Sequence, residues 1–140
     1  MPQATETLFN EMKRYVRFAA ADSAALAAAA KMAAPHFERI AAEFYERVRE
    51  HEDAHAVFTG EEQIARLQRS LVAWMHRLFV GPHDEDYFAE RAKIGRVHVR
   101  IGLPQRYMFT AMSLIRASLE GVVDGLPEPE RTVTRAALAR

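Results

Sequence analysis

A chain of 140 residues, 49% of them apolar, with 19 basic and 19 acidic side chains, has the make-up of one globular domain around one core. Its zero formal charge argues against a duplex nucleic-acid partner, which calls for a basic excess. The absence of cysteine excludes disulfides, thiolate metal sites and cysteine nucleophiles, and fits a cytoplasmic location.

The opening stretch MPQATETLFNEMKRY lacks the apolar core of a signal peptide. Thr7 to Ala20 follows as a first helix, with Leu8, Met12, Tyr15 and Ala19 at helical spacing. Asp22 is placed to cap a second, alanine-rich helix from Ser23 to Ala33. That segment contains the longest apolar run, Ala24 to Ala30, far short of the roughly 20 residues a membrane span needs. No membrane partner is expected.

Pro35 suits the first turn of a third helix, whose apolar side carries Phe37, Ile40, Ala41, Phe44, Tyr45 and Val48. His51 to Gly60 reads as a corner. A long helix then runs to Val80, with Ile64, Leu67, Leu71, Trp74, Met75 and Leu78 in one stripe. Gly81-Pro82 ends it, because proline disfavours helical geometry in the preceding residue. Asp84 caps the next helix, Glu85 to Ile101, and Gly102 offers a left-handed C-terminal cap. Pro104 opens a helix that carries Tyr107, Met108, Ala111, Met112, Leu114, Ile115 and Leu119 up to Gly125. A last helix starts near Pro129 and is still helical in character at Arg140. No repeat or strand patterning appears, so the fold class is all-α, with six to eight helices.

Within Glu85 to Ile101, helical phase aligns Ile94, His98 and Ile101, with Val97 beside them and Lys93, Arg96 and Arg100 on the other side. An inward histidine is most often a core side chain bonded to a backbone carbonyl. Held neutral and oriented by a helix, it is also a good iron ligand. Tyr45 poses the same choice, between a ring packed at the edge of an apolar face and a phenol that donates to a ligand. HEDAH, His51 to His55, has the letters of the H-E-x-x-H zinc motif. It follows the charged ERVRE and enters a corner, and Phe58 and Glu61 stand where an extended motif has glycine and histidine. A solvated pair is expected there.

Several segments together resemble the sensor globins, the haem domains of globin-coupled sensors. IGRVHVRIGLPQRYM, Ile94 to Met108, is similar to that family's proximal-helix segment, where the histidine ligates haem iron and Gly-Leu-Pro turns into the next helix. AAEFYERV, Ala41 to Val48, resembles the second globin helix with its distal tyrosine. WMHRLFVGPHDEDYFAERAKIG, Trp74 to Gly95, resembles the end of the long distal helix and the approach to the proximal one.

The resemblance implies a globin fold, in the sensor-globin variant with an N-terminal helical extension and a short last helix. It implies a single domain over 1–140 with no output domain, and haem b as cofactor. His98 becomes the proximal iron ligand, Tyr45 the distal hydrogen-bond donor, Leu67 a cover for the distal face and Ser70 a second hydroxyl within reach. Phe44, Leu71, Trp74, Ile94, Val97, Ile101 and Tyr107 are expected around the haem. Lys93 and Arg96 are expected beside its propionates on charge and spacing. The implied activity is gas sensing: a diatomic ligand, oxygen foremost but also carbon monoxide or nitric oxide, binds at a five-coordinate iron. Its state passes through the C-terminal helices of a homodimer joined by the last two helices. The chain is then a sensor and not an enzyme. The alternatives are a haem-free globin-like interaction domain, disfavoured by His98 and Tyr45, and a haem enzyme such as a dioxygenase, disfavoured by Leu67, which offers no acid–base group.

Overall fold

The computed structural model describes residues 5–52 and 58–140. These form α1 (Leu8–Val16), α2 (Ala20–Ala33), a 3₁₀ turn (Ala34–His36), α3 (Phe37–Arg49), α4 (Glu61–Val80), α5 (Glu85–Arg100), α6 (Gln105–Val123) and α7 (Glu130–Ala139). No strand occurs among the described residues.

Most boundaries follow local chemistry. Thr7 caps α1 by accepting from the Asn10 amide at 3.2 Å, and Asp84 caps α5 by accepting from Tyr87 at 3.0 Å. Two boundaries differ from the sequence expectation. α1 ends at Val16 and does not run on to Ala20, because Arg17 turns left-handed (φ 63°) and the Phe18 amide reaches back to the Lys13 carbonyl at 2.8 Å. The turn brings Phe18 against the core and edge-on to His83, 5.2 Å between ring centres. α2 begins at Ala20, so Asp22 lies inside its first turn. From there its carboxylate still accepts from the Ala19 amide at 2.8 Å and from Arg140 at 2.8 Å, which satisfies a side chain only 5% exposed.

α2 lies between α7 and α4, and α3 packs on α4 and α6. The small buried residues Ala29 and Ala33 of α2 and Ala137 of α7 let these helices approach closely. Leu26, Phe37, Ile40, Met75, Phe79, Leu119 and Val123 fill the shared core. Phe37 and Phe79 meet at 5.5 Å between ring centres, both fully buried.

The core is confined to these helices. α5 buries none of its 16 residues, and all four buried residues of α6 lie from Ile115 onward. One helix of ordinary length is thus attached by its partly covered side chains and its two ends. At its C-terminal end Gly102 (φ 76°) closes a Schellman cap, with Leu103 donating to the His98 carbonyl and Gly102 to that of Val99. Glycine takes this conformation without the strain a Cβ imposes.

Candidate functional site

α5 carries a column of side chains on one face: Tyr87, Arg91, Ile94, Gly95 and His98. His98 is half-buried, and its Nδ1 is buried with no hydrogen-bond partner. Buried polar atoms are ordinarily satisfied, so this nitrogen stands out. Burial lowers the imidazole's pKa from its usual value near 6.5, which keeps the ring neutral at pH 7 with a lone pair available. His98 is therefore not the carbonyl-bonded core histidine that spacing alone allows.

Tyr45 is buried on α3, with its ring edge-on to Phe44 at 5.0 Å and to Phe58 at 6.1 Å. Its hydroxyl has no hydrogen-bond partner among the described residues. Desolvation pushes its pKa up to about 12, so the phenol remains a donor throughout the physiological range. Phe58, the aromatic wall of this tyrosine, lies in the corner that hydropathy patterning passes over; no helical period reaches it.

On α4, Leu67, Leu71 and Trp74 form a half-buried shoulder beside the buried Ile64, Met75 and Phe79. Phe44, Val97 and Tyr107 are also half-buried, whereas Ile94 and Ile101 are 41% and 45% exposed. Trp74 is a rim residue, with the Arg91 guanidinium over its ring. Tyr107 lies to one side, 6.3 Å from the His51 ring.

The structure places Ser70, Lys93 and Arg96 at exposed positions. The Ser70 side chain is exposed and its hydroxyl donates to the Arg66 carbonyl at 3.3 Å, so that proton is engaged within its own helix. Lys93 and Arg96 are exposed on the side of α5 away from His98, because helical phase turns them outward. The cation that shares the His98 face is Arg91. As for HEDAH, His51 is exposed and His55 lies outside the described residues. No group of three or more His, Asp or Glu able to hold a metal ion occurs among the described residues.

A groove of about 420 Å³ between α3 and α6, floored by Ile40, Phe44, Leu114 and Ile115 and edged by Glu43, Glu46 and Glu50, includes neither Tyr45 nor His98. Its carboxylates are surface groups, and Glu43 and Glu50 pair with Arg39 and Arg47. His98, Tyr45 and the shoulder of Leu67, Leu71 and Trp74 lie on α5, α3 and α4.

The family model for Protoglobin matches residues 5–139. The chain belongs to the protoglobin family. Among solved structures this protoglobin is similar to the globin domain of the Geobacter sulfurreducens globin-coupled sensor, with a TM-score of 0.87 and 28% identity over 96% of this chain and 90% of that one. It also shares its fold with the globin domain of E. coli DosC in a ferric form, TM-score 0.77 and 22% identity over 93% of this chain and 89% of that one. The ferrous form gives the same score and identity over 94% and 90%. No curated protein sequence matches the chain. No helix among the described residues is long and apolar enough to cross a membrane.

A globin fold implies haem, and the residues present fit one. His98 offers a neutral imidazole that the fold leaves without a hydrogen-bond partner, Tyr45 an uncommitted donor, and α4 an apolar shoulder. Gly95 adds to the fit. It lies inside α5, one turn before His98, and a Cβ built on it meets no atom within 4 Å. Protein packing therefore does not require glycine there, although glycine weakens a helix. Gly95→Ala is expected to stabilise the haem-free protein by about 0.5–1 kcal/mol, read as a raised Tm. A lowered Tm would mean that the protein itself crowds the position.

Proposed function

We propose that this protoglobin binds haem b with His98 as the residue that would hold the iron and Tyr45 as the hydrogen-bond donor to a bound gas, and that it senses a diatomic gas, oxygen foremost. The observation that carries the reading is the pair of ring groups left uncommitted by the fold: a neutral imidazole on α5 and a buried, protonated phenol on α3. A haem bound there would supply an iron able to take up oxygen, carbon monoxide or nitric oxide. Leu67, Leu71, Trp74, Phe44, Ile94, Val97 and Ile101 exclude water from the flat apolar faces. Tyr45 donates its phenolic hydrogen to the gas. The leucine at position 67 offers no proton relay, which favours reversible binding over turnover.

The similarity to a globin domain of a globin-coupled sensor favours the sensing role. Phe109 (66% exposed) and Met112 (44%) on α6, with Val133 (46%) on α7, favour a homodimer joined through these helices, to be read as its mass in solution. A cytoplasmic location agrees with the cysteine-free sequence.

The test is haem reconstitution followed by stopped-flow oxygen release. Tyr45→Phe is expected to accelerate release by about two- to twelvefold, the worth of one buried neutral hydrogen bond. In the parent the rate should stay flat from pH 6 to 10, since the phenol ionises only toward about 12. Absence of a Soret band in the reconstituted parent defeats the haem reading; an unchanged rate in the variant removes Tyr45 from it.

A further inference from the structure

Arg91 is a half-buried cation with no carboxylate partner among the described residues, in a neighbourhood where the nearby acids pair with Arg77. Its guanidinium stacks over the Trp74 ring at 4.0 Å and the Tyr87 ring at 4.3 Å. It makes a long contact of 3.5 Å to the Trp74 carbonyl, and the Tyr87 side chain also interacts with it. Glu90, its chain neighbour, bonds Arg77 at 3.2 Å, and Asp84 lies 3.6 Å from the same Arg77. Desolvation lowers the pKa of Arg91 from the ordinary arginine value, a sign of a charge held away from water. Buried charges are normally paired, and cation–π stacking compensates only in part.

The position of this charge is informative. Arg91 and His98 are separated by seven residues, two turns and about 10.5 Å of helix, on the same face of α5. Arg91 also reaches across to α4 at Trp74, part of the apolar shoulder described above. It therefore borders the space between α4 and α5 at one edge. Two aromatic rings flank the guanidinium carbon, and an arginine's five N–H donors exceed these contacts and suit a planar, bidentate anion.

We propose that Arg91 is the docking point for a carboxylate on the rim of the flat ligand that His98 holds; for a haem, a propionate. The proposal rests on the haem reading and adds a binding residue to it. It also assigns the propionate role to an arginine stacked between aromatics, in place of the exposed Lys93 and Arg96. Arg91 sets the orientation of the ligand in its plane, while His98 sets its distance from α5.

A protein–ligand cycle tests this. Parent and Arg91→Met are loaded with haem or haem dimethyl ester, in which both propionates are neutral, and the porphyrin's transfer rate to an excess of apomyoglobin is followed spectroscopically. In the parent, esterification is expected to speed loss by about ten- to a hundredfold, the worth of a charge-assisted hydrogen bond. In Arg91→Met, haem itself should leave about that much faster, and esterification should add little. An ester penalty as large in the variant as in the parent overturns the proposal, as does one that disappears in Lys93→Met or Arg96→Met. Arg91→Lys provides the comparison if the methionine variant does not fold. A point charge replaces the fork, so the ester penalty should shrink; an unchanged penalty again overturns the proposal. A parent that binds neither porphyrin refutes the haem reading and this proposal with it, whereas binding with an Arg91-independent penalty refutes this proposal alone.

Discussion

Replacing His98 by glycine is expected to lower haem affinity by more than about 100-fold, since even supporting partners of a metal-ligating histidine cost about 10- to 100-fold when removed. The reconstituted variant should show a displaced Soret band, and added imidazole should restore the parent spectrum by occupying the space the side chain vacates. The reasoning is local. His98 is the half-buried imidazole whose Nδ1 the fold leaves unpartnered, and burial keeps that ring in the neutral form a metal requires. Its removal should cost the haem-free protein no more than about 1 kcal/mol, chiefly the helix cost of a glycine, because α5 buries no residue in the core. A variant that keeps the parent spectrum without imidazole would place the axial ligand elsewhere.

Phe79→Ala is expected to destabilise the protein by about 3–5 kcal/mol, the usual cost of removing a buried phenyl ring. Phe79 is completely buried on α4 and meets Phe37 of α3 at 5.5 Å. A domain of this size has about 5–15 kcal/mol in total, so a shift of this size should lower the denaturation midpoint sharply. Val99→Ala is the contrast: the side chain is 81% exposed and its truncation should stay within about 0.5 kcal/mol. Chemical denaturation of both variants reads the difference, and similar losses would mean that α5 is packed more tightly than its exposure indicates. Together, His98→Gly and Phe79→Ala separate the helix that presents the ligand from the core that holds the fold.

This division explains what hydropathy patterning made legible. Helical phase identified the stripes of α3 and α4, because burying Phe37, Ile40, Ile64 and Met75 is what drives those helices together. Caps at Asp84 and Gly102 act within one turn and are readable in the chain. The same phase put His98 on the inner side of α5. It also put Lys93 and Arg96 on the outer side, where both side chains are exposed.

Other features depend on partners distant in the chain. Arg17 interrupts α1 early so that Phe18 can reach the core and His83, which no local preference announces. The Asp22 carboxylate serves the start of α2 in either reading, yet its other partner is Arg140, 118 residues away. The Ser70 hydroxyl had two possible destinations, and its own helix supplied the acceptor. Phe58 lies in a corner without period, and only the placement of α3 brings Tyr45 to it. The sequence by itself determined an all-α chain, the phase of its helices, and a histidine and a tyrosine on their inner sides, because period and capping are local. Tertiary structure alone decided that, among the described residues, His98 Nδ1 and the Tyr45 hydroxyl lack hydrogen-bond partners and the half-buried Arg91 has no carboxylate partner, because hydrogen-bond satisfaction and charge pairing depend on groups brought together across the fold.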